Sequence, residues 1–208
     1  MKKYGRTYHL PQSPGVTSDD KILRDLSVLA GAEEVIFTEK MDGENTTIHK
    51  GGCHARSPDS GYHPSRDWVK AFAAGISPQL QDNERIVGEY LFARHSVAYD
   101  DLSSYFLGFA WICDHQIQGW DDSAQRFSEL GILPVPILHR GVFDAATVNA
   151  VLSDLDLTRQ EGFVVRTSAP FAENAMATHM AKYVRADHVQ GDTHWMHADI
   201  VKNGLQKG

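Results

Sequence analysis

The amino-acid sequence predicts an α+β fold in which mainly antiparallel sheets are flanked by helices. Short runs rich in β-branched and aromatic residues alternate with segments whose apolar residues recur at helical spacing. The chain has 208 residues, of which 42% are hydrophobic, and can therefore bury a substantial core. No repeat, low-complexity tract or linker divides it, so we expect a single domain over residues 1–208.

In the first half, each predicted element follows from a local pattern. Thr17 to Asp20 is typical of a helix cap, and the apolar residues of segment 22–29 lie at helical spacing before Gly31, which predicts a first helix. A glycine pair, Gly51-Gly52, predicts a tight turn between two strands. The other expected elements are strands at 35–38, 46–48, 53–57 and 85–92 and a helix at 68–76.

The second half repeats this alternation. Residues 105–113 form a nearly continuous apolar run of strand length, and residues 121–130 form a helical pattern closed by Gly131. Prolines in segment 134–139 are typical of an edge strand. An amphipathic helix at 144–155 and strands at 161–167 and 180–185 complete the prediction.

Composition and charge exclude few functions. Cys53 and Cys113 form no CxxC pair, and no segment approaches the roughly 18 apolar residues of a membrane span, so we expect a cytoplasmic protein with reduced thiols. The net charge of −7 argues against a nucleic-acid partner. However, residues 114–161 contain eight acidic and three basic residues, which leaves only −2 for the remainder. A local positive cleft is therefore compatible with the sequence.

Lys40 is the candidate nucleophile. It begins the segment Lys40-Met41-Asp42-Gly43-Glu44-Asn45 directly after a predicted strand. An amine is nucleophilic only when its pKa falls below about 10.4, through desolvation or a nearby positive charge, and we expect the half-buried strand end to lower the pKa of Lys40. Gly43 lets the backbone approach a phosphate closely. Taken alone, this short pattern is also compatible with a surface lysine in a turn.

Five motifs occur in one order along the chain. They are KxDGxN at Lys40, Val87-Gly88-Glu89-Tyr90, Tyr105-Phe106-Leu107-Gly108-Phe109, Glu161-Gly162-Phe163-Val164-Val165-Arg166 and Met180-Ala181-Lys182-Tyr183. This order resembles the covalent nucleotidyltransferase superfamily of polynucleotide ligases and mRNA capping enzymes, and within it the RNA ligase 2 type. The resemblance implies an adenylyltransferase (ATP-grasp-like) nucleotidyltransferase domain.

The resemblance implies a role for each matching residue. Lys40 would attack the α-phosphorus of ATP and become covalently adenylated, with Glu161 and Lys182 as the other catalytic residues. ATP and its phosphates would be bound by Glu39, Lys40, Asn45, Arg56, Glu89, Phe109 and Lys182. Glu161 and Glu89 would bind Mg²⁺ or Mn²⁺, because both ions prefer oxygen ligands. An aromatic ring suits stacking on adenine, and a guanidinium suits phosphate oxygens.

Two motifs depart from the family pattern. Met180 and Val184 occupy the positions at which relatives pair a second lysine with Lys182, and Arg185 is the candidate replacement. Ala110-Trp111 follows Phe109 where relatives have an acidic residue, so Phe106 remains the alternative residue for stacking on adenine.

The length of the chain favours one branch of the superfamily. Only 23 residues follow Arg185, which leaves no room for the OB domain found in capping enzymes and most DNA ligases. We therefore expect an ATP-dependent RNA ligase that joins 3′-hydroxyl to 5′-phosphate ends. The alternatives are an ATP-dependent DNA ligase without an OB domain and a GTP-using capping-type enzyme. The resemblance also suggests a bacterial or phage-type protein.

The expected partners are ATP and RNA ends, with DNA ends as the alternative and no membrane. A protein partner could supply the grip on nucleic acid, and the acidic residues 114–161 are a candidate surface for it. A zinc hydrolase using His188, His194 and His197 is disfavoured, because their spacing does not match HExxH. A nonenzymatic end-binding protein is disfavoured because both Lys40 and Glu161 are present.

Overall fold

The computed structural model describes residues 2–57, 63–186 and 200–207. The strands are β1 Tyr8–His9, β2 Val35–Glu39, β3 Glu44–His49, β4 Gly52–Ala55, β5 Glu84–Tyr90, β6 Phe106–Cys113, β7 Gln116–Ile117, β8 Leu133–Pro134, β9 Ile137–Gly141, β10 Gly162–Thr167, β11 Phe171–Ala172 and β12 Met180–Val184. The α-helices are α1 Ser27–Ala30, α2 Asp67–Ile76, α3 Trp120–Glu129, α4 Ala145–Asp154 and α5 Met176–His179. Short 3₁₀ helices lie at Pro64–Arg66, Ser77–Gln79 and Glu173–Ala175.

The first sheet has five strands in the order β1-β12-β10-β2-β9. β10 is antiparallel to both β2 and β12, and Val164 is paired with Thr38 on one side and with Lys182 on the other. Directly paired residues lie on the same face of a sheet, and side chains alternate between faces along each strand. Thr38, Val164 and Lys182 therefore share one face.

The second sheet has the order β11-β7-β6-β5-β3-β4, with β8 parallel to β6. The β3–β4 hairpin turns at Lys50 and Gly51, and the next residue, Gly52, has a φ of 125° that favours glycine. Between β5 and β6 the register shifts at Val87/Gly88, because Val87 pairs with Ala110 whereas Gly88 pairs with Gly108. Phe109 is consequently the extra residue of a β-bulge.

Helices cover the outer faces of both sheets. Residues of α4 pack with Phe37 and Phe163 of the first sheet, whereas residues of α2 and α3 pack with Ile86 and Phe106 of the second sheet. Between the sheets lie two further apolar clusters, in which residues such as Ile36 and Met180 contact residues of β5 and β6. The inner faces therefore face each other, and the polar side chains at their edge define the candidate site.

The α+β prediction with mainly antiparallel sheets is confirmed, but two predicted elements are wrong. The first helix spans only Ser27–Ala30, because His9 N donates to Lys21 O and Leu23 N donates to His9 O, both at 2.8 Å. This pairing holds residues 21–23 beside β1 instead of in a helix. The strand predicted at 134–139 is divided between the two sheets as β8 and β9.

Two other predictions concern a membrane span and a zinc site. No helix among the described residues is long and apolar enough to cross a membrane. The proposed zinc-ligand histidines, His188, His194 and His197, lie outside the described residues.

Candidate functional site

Lys40 lies at the end of β2 and faces the carboxylate of Glu161. Its backbone N donates to Gly162 O at 3.0 Å, and its Nζ forms a hydrogen-bonded ion pair with Glu161, whose side chain is fully buried. Gly162 has a φ of 150°, and a Cβ there would lie 2.0 Å from the Tyr183 carbonyl oxygen. Only glycine fits this position, which brings the preceding residue, Glu161, beside Lys40.

The pKa of Lys40 is raised, contrary to the expectation of a lowered value. Burial lowers this pKa, but the attraction of Glu161, Glu89 and Asp42 for the ammonium outweighs the desolvation. The amine is therefore held protonated before any substrate binds. Its activation requires that the negative charge around it be neutralised or that its proton be removed.

Asn45, Glu89 and Arg56 lie in neighbouring positions of the second sheet. Asn45 of β3 is paired directly with Glu89 of β5, so both side chains share the inner face. Arg56 is not within the strand as expected: it directly follows Ala55, whose pairing with Thr46 ends the ladder between β3 and β4. Asn45 Oδ1 is buried and has no hydrogen-bond partner among the described residues. This acceptor is thus available for a ligand.

The carboxyl of Glu89 is strongly affected by its surroundings. Burial raises its pKa to about 8, while Lys40 opposes the shift and Glu161 and Asp42 increase it. Several carboxyl groups therefore lie close to one lysine ammonium, and Glu89 keeps its proton near neutral pH. Such a crowded set of carboxyl oxygens is a site at which a cation is stabilising.

The bulge in β6 distinguishes Phe109 from Phe106. Phe106 is fully buried with α2 and α3 on the outer face, and its ring centroid lies 5.6 Å from that of Phe72. Phe109 is partly exposed on the inner face, with its ring centroid 5.5 Å from that of Tyr4. The structure therefore favours Phe109 for contact with a ligand between the sheets.

Lys182 lies on the same face of the first sheet as Thr38 and Val164. Its Nζ is 3.6 Å from Asp20 Oδ1, and its side chain is 15% exposed. Burial lowers the pKa of Lys182, Asp20 opposes this shift, and Lys40 adds to it. Arg185, the candidate substitute for the missing second lysine, donates from Nη1 to Leu157 O at 2.6 Å.

Glu39 is placed differently from the other candidate residues. It is paired with Phe163, so strand alternation directs it to the outer face, opposite Val164 and Lys182. Its Oε2 accepts a hydrogen bond of 2.9 Å from Gln160 Nε2, and burial raises its pKa. A contact between Glu39 and adenine stays a prediction.

Sequence reasoning missed the structural role of Asp42. Its Oδ2 accepts hydrogen bonds of 2.7 Å from Ser96 Oγ and from Val97 N, while its own backbone N donates to Tyr99 Oη at 2.9 Å. Asp42 therefore ties the turn after Lys40 to residues 96–99. The aspartate was visible in the KxDG pattern, but its partners are more than fifty positions away.

The carboxylates around Lys40 fit a divalent cation bound together with a substrate. Within the described residues, no three His, Cys, Asp or Glu side chains are grouped closely enough to hold a metal ion by themselves. Mg²⁺, however, is usually bound by one or two carboxylates together with waters and substrate phosphates. Glu161 and Glu89 supply such oxygens, and the charge of both groups acts on Lys40.

Comparisons with solved structures show that the fold is shared with ATP-dependent nucleic-acid ligases. An archaeal ATP-dependent RNA ligase is 15% identical, with a TM-score of 0.58, and the match covers 89% of this chain and 48% of that chain. A putative ATP-dependent DNA ligase from Aquifex aeolicus is 14% identical, with a TM-score of 0.55 and coverages of 89% and 50%. A Naegleria gruberi RNA ligase variant with AMP and Mn is 13% identical, with a TM-score of 0.55 and coverages of 89% and 56%.

The family model for RNA ligases matches residues 33–184. The chain therefore belongs to the RNA ligase family. It spans about half the length of the solved ligases it resembles. A comparison with curated proteins finds no match.

Proposed function

We propose that this chain contains the adenylation domain of an ATP-dependent RNA ligase, with Lys40 as the residue that becomes adenylated. The observation that supports this proposal is the pairing of Lys40 with Glu161 opposite the Asn45–Glu89 pair. A protonated lysine, a buried amide acceptor and two carboxylates face each other where the inner faces of the two sheets meet. The family and the fold supply the reaction class that this set of groups fits.

In the first step, Lys40 Nζ forms a bond to the α-phosphorus of ATP. The bond from that phosphorus to the bridging oxygen breaks, and pyrophosphate leaves with the electron pair. Because the pKa of Lys40 is raised, the amine must first lose a proton, and Glu161 is the base in direct contact with it. The product is a lysyl-AMP phosphoramidate.

Binding of ATP depends on both sheets. Lys182 and Arg56 supply positive charge for the phosphates, and Phe109 offers a partly exposed ring for the adenine. Mg²⁺ or Mn²⁺ held by Glu161 and Glu89 would neutralise charge on the phosphate oxygens and would also weaken the hold of these carboxylates on the Lys40 proton. Structures of Naegleria gruberi RNA ligase with AMP and Mn and with ATP and Mn support this choice of ligands.

In the second step, an oxygen of the 5′-phosphate end attacks the phosphorus of lysyl-AMP, the N–P bond breaks and Lys40 is released. In the third step, a 3′-hydroxyl attacks the phosphorus of the 5′-phosphate end and displaces AMP. The enzyme would thus be a ligase that forms phosphoric ester bonds and serves in RNA repair. Because the chain matches only about half of the archaeal RNA ligase, we propose that sealing also uses a further domain or a protein partner to grip the RNA.

The experiment is incubation of the protein with ATP labelled on the α-phosphate and a divalent metal, followed by denaturing electrophoresis. We expect a labelled wild-type band and none for Lys40→Ala. Lys50→Ala is the matched control, since Lys50 is an exposed lysine in the turn between β3 and β4, where it is paired with Asp82 at 3.2 Å. An unlabelled wild-type band would contradict the proposal.

A DNA ligase is the second candidate, because the Aquifex aeolicus neighbour is a putative ATP-dependent DNA ligase with a similar TM-score. Preformed adenylated protein is mixed with nicked RNA, nicked DNA and single-stranded RNA. We expect sealing of RNA ends, whereas sealing restricted to DNA would replace this part of the proposal. Labelling by GTP and not by ATP would favour a capping-type enzyme.

A further inference from the structure

A segment that precedes the residues matched by the family model is hydrogen-bonded to the strand of the candidate site that bears Lys182. We call residues 8–23 the N-terminal strap; the family match begins only at residue 33. β1 in this strap is parallel to β12, with His9 paired to Lys182. The end of the strap, residues 21–23, lies beside β1. There His9 N donates a hydrogen bond to Lys21 O and Leu23 N donates one to His9 O, both at 2.8 Å. The strap therefore runs along the strand that bears Lys182.

Asp20 of the strap is aimed at Lys182. Its Oδ1 lies 3.6 Å from Lys182 Nζ, and both side chains are mostly buried, with 12% and 15% exposure. Its Oδ2 accepts hydrogen bonds from Thr17 N at 3.1 Å and Thr17 Oγ1 at 2.9 Å. The carboxylate is thus oriented by the strap itself before it meets the lysine.

His9 lies beside Asp20 and is itself hydrogen-bonded to Ser13. His9 Nε2 is 3.4 Å from Asp20 Oδ1, and His9 Nδ1 is 2.8 Å from Ser13 Oγ. Ser13 Oγ in turn accepts a hydrogen bond of 3.0 Å from Val184 N. His9 is fully buried, so this chain of contacts links Asp20 to the end of β12 without passing through solvent.

We propose that Asp20 is a positioning residue that holds Lys182 in place for the phosphates of ATP. This inference rests on the proposed function, since it assigns a further residue, Asp20, to the ATP site. Lys182 lies near the like charges of Lys40 and Arg56, which repel its ammonium. Asp20 and Glu161 both attract this ammonium, and Asp20 is the carboxylate that lies 3.6 Å from its Nζ. At 3.6 Å the pair is longer than a hydrogen bond, so Lys182 is free to exchange its contact for a phosphate oxygen.

The test measures the rate of lysyl-AMP formation by rapid quenching over a range of ATP concentrations. Asp20→Asn retains the oxygen that accepts from Thr17 but loses the charge. We expect the rate at saturating ATP to fall about tenfold, because a catalytic group displaced by about 1 Å loses much of its effect. KM for ATP should change less than about twofold. Asp19→Asn, the same charge change at an exposed neighbouring residue, should leave both parameters unchanged.

One outcome would overturn the proposal directly. If Asp20 only repels ATP, Asp20→Asn would lower KM and leave the saturated rate unchanged. A double-mutant cycle adds a second criterion: in a Lys182→Met background, Asp20→Asn should have no further effect on the rate. Independent, multiplicative effects of the two substitutions would contradict the positioning role.

A second variant keeps the proposal testable if Asp20→Asn does not fold. Thr17→Val removes one of the two hydrogen bonds that orient Asp20 and retains every charge. We expect about a threefold lower saturated rate, and a wild-type rate would contradict the proposal. Failure of the proposed function is distinguishable from all these results, because the wild-type protein itself would then remain unlabelled.

Discussion

On the first sheet the candidate functional side chains already have partners in the protein, whereas on the second sheet a key polar atom has none. Lys40 is paired with Glu161, and Lys182 with Asp20. Facing them, Asn45 Oδ1 is buried without a hydrogen-bond partner among the described residues. We infer that the first sheet holds its charged side chains in position by contacts within the protein, whereas Asn45 of the second sheet offers an acceptor to the substrate.

The largest expected effect is on the first sheet. Glu161→Gln should lower the rate of lysyl-AMP formation about a thousandfold, because it removes both the charge that positions Lys40 and the base in contact with it. The assay is single-turnover labelling with ATP. Glu173→Gln is the control, since Glu173 is also buried but is paired with Lys2 and Arg85. Equal losses in both variants would mean that Glu161 is only structural.

The corresponding change on the second sheet should affect activity without affecting stability. Asn45→Ala should lower the same rate about a hundredfold, which is typical for loss of one group that stabilises a transition state. Its melting temperature should stay within about 2 °C of wild type, since no hydrogen bond in the described structure is lost.

Thr47→Val provides the control for Asn45. Thr47 lies two positions further along the same face of β3, and its buried Oγ1 also has no partner in the described part of the chain. This nearly isosteric change should leave the rate unaltered. If Asn45→Ala instead lowered the melting temperature and retained the wild-type rate of lysyl-AMP formation, the contrast between the sheets would be wrong.

Substitutions of the two candidate stacking residues should affect different quantities, KM for ATP in one case and the free energy of unfolding in the other. Phe109→Leu should raise KM for ATP about tenfold, because stacking on a base is worth about 1–3 kcal/mol. Phe106→Leu should leave KM unchanged but lower the free energy of unfolding by about 1–2 kcal/mol, since its ring is fully buried. The ATP dependence of the labelling rate and denaturant unfolding distinguish the two variants. If the two phenotypes were exchanged, Phe106 and not Phe109 would be the residue that stacks on adenine.

The smallest expected effect concerns the pH dependence of stability. The pKa of Glu89 is raised to about 8 in the folded state from its ordinary value of 4.5. Between these values the folded protein binds more protons at Glu89 than the unfolded chain, so stability falls as pH rises through this window. Glu89→Gln should therefore melt at least about 2 °C above wild type at pH 9 and lose this advantage near pH 4.5. An equal difference at both pH values would contradict the shift.

Much of the fold could be predicted from local sequence patterns. The predicted helices at 68–76, 121–130 and 144–155 correspond to α2, α3 and α4, each within one or two residues. The prediction of secondary structure failed where hydrogen bonding to residues distant in sequence overrode the local preference for a helix. Residues 21–23 are extended because they pair with β1, although their apolar spacing is helical.

The candidate site was predictable in composition but not in geometry. Lys40, Glu89 and Glu161 could be identified from their motifs, because each motif is contiguous in sequence. The β-bulge that turns Phe109 to the inner face depends on the register between β5 and β6, and the partnership of Asp20 with Lys182 depends on how β1 joins β12. Neither the bulge nor this contact can be recognised from a short stretch of sequence. The raised pKa of Lys40 likewise arises from carboxylates that are distant in sequence.

The central claim is that Lys40, and not the neighbouring Lys182, forms the bond to AMP. Its most direct test is peptide mapping by mass spectrometry after incubation with ATP and Mn²⁺, under alkaline conditions that preserve a phosphoramidate. We expect a single AMP adduct, located on Lys40. An adduct on Lys182, or no adduct in a folded protein that binds ATP, would contradict it.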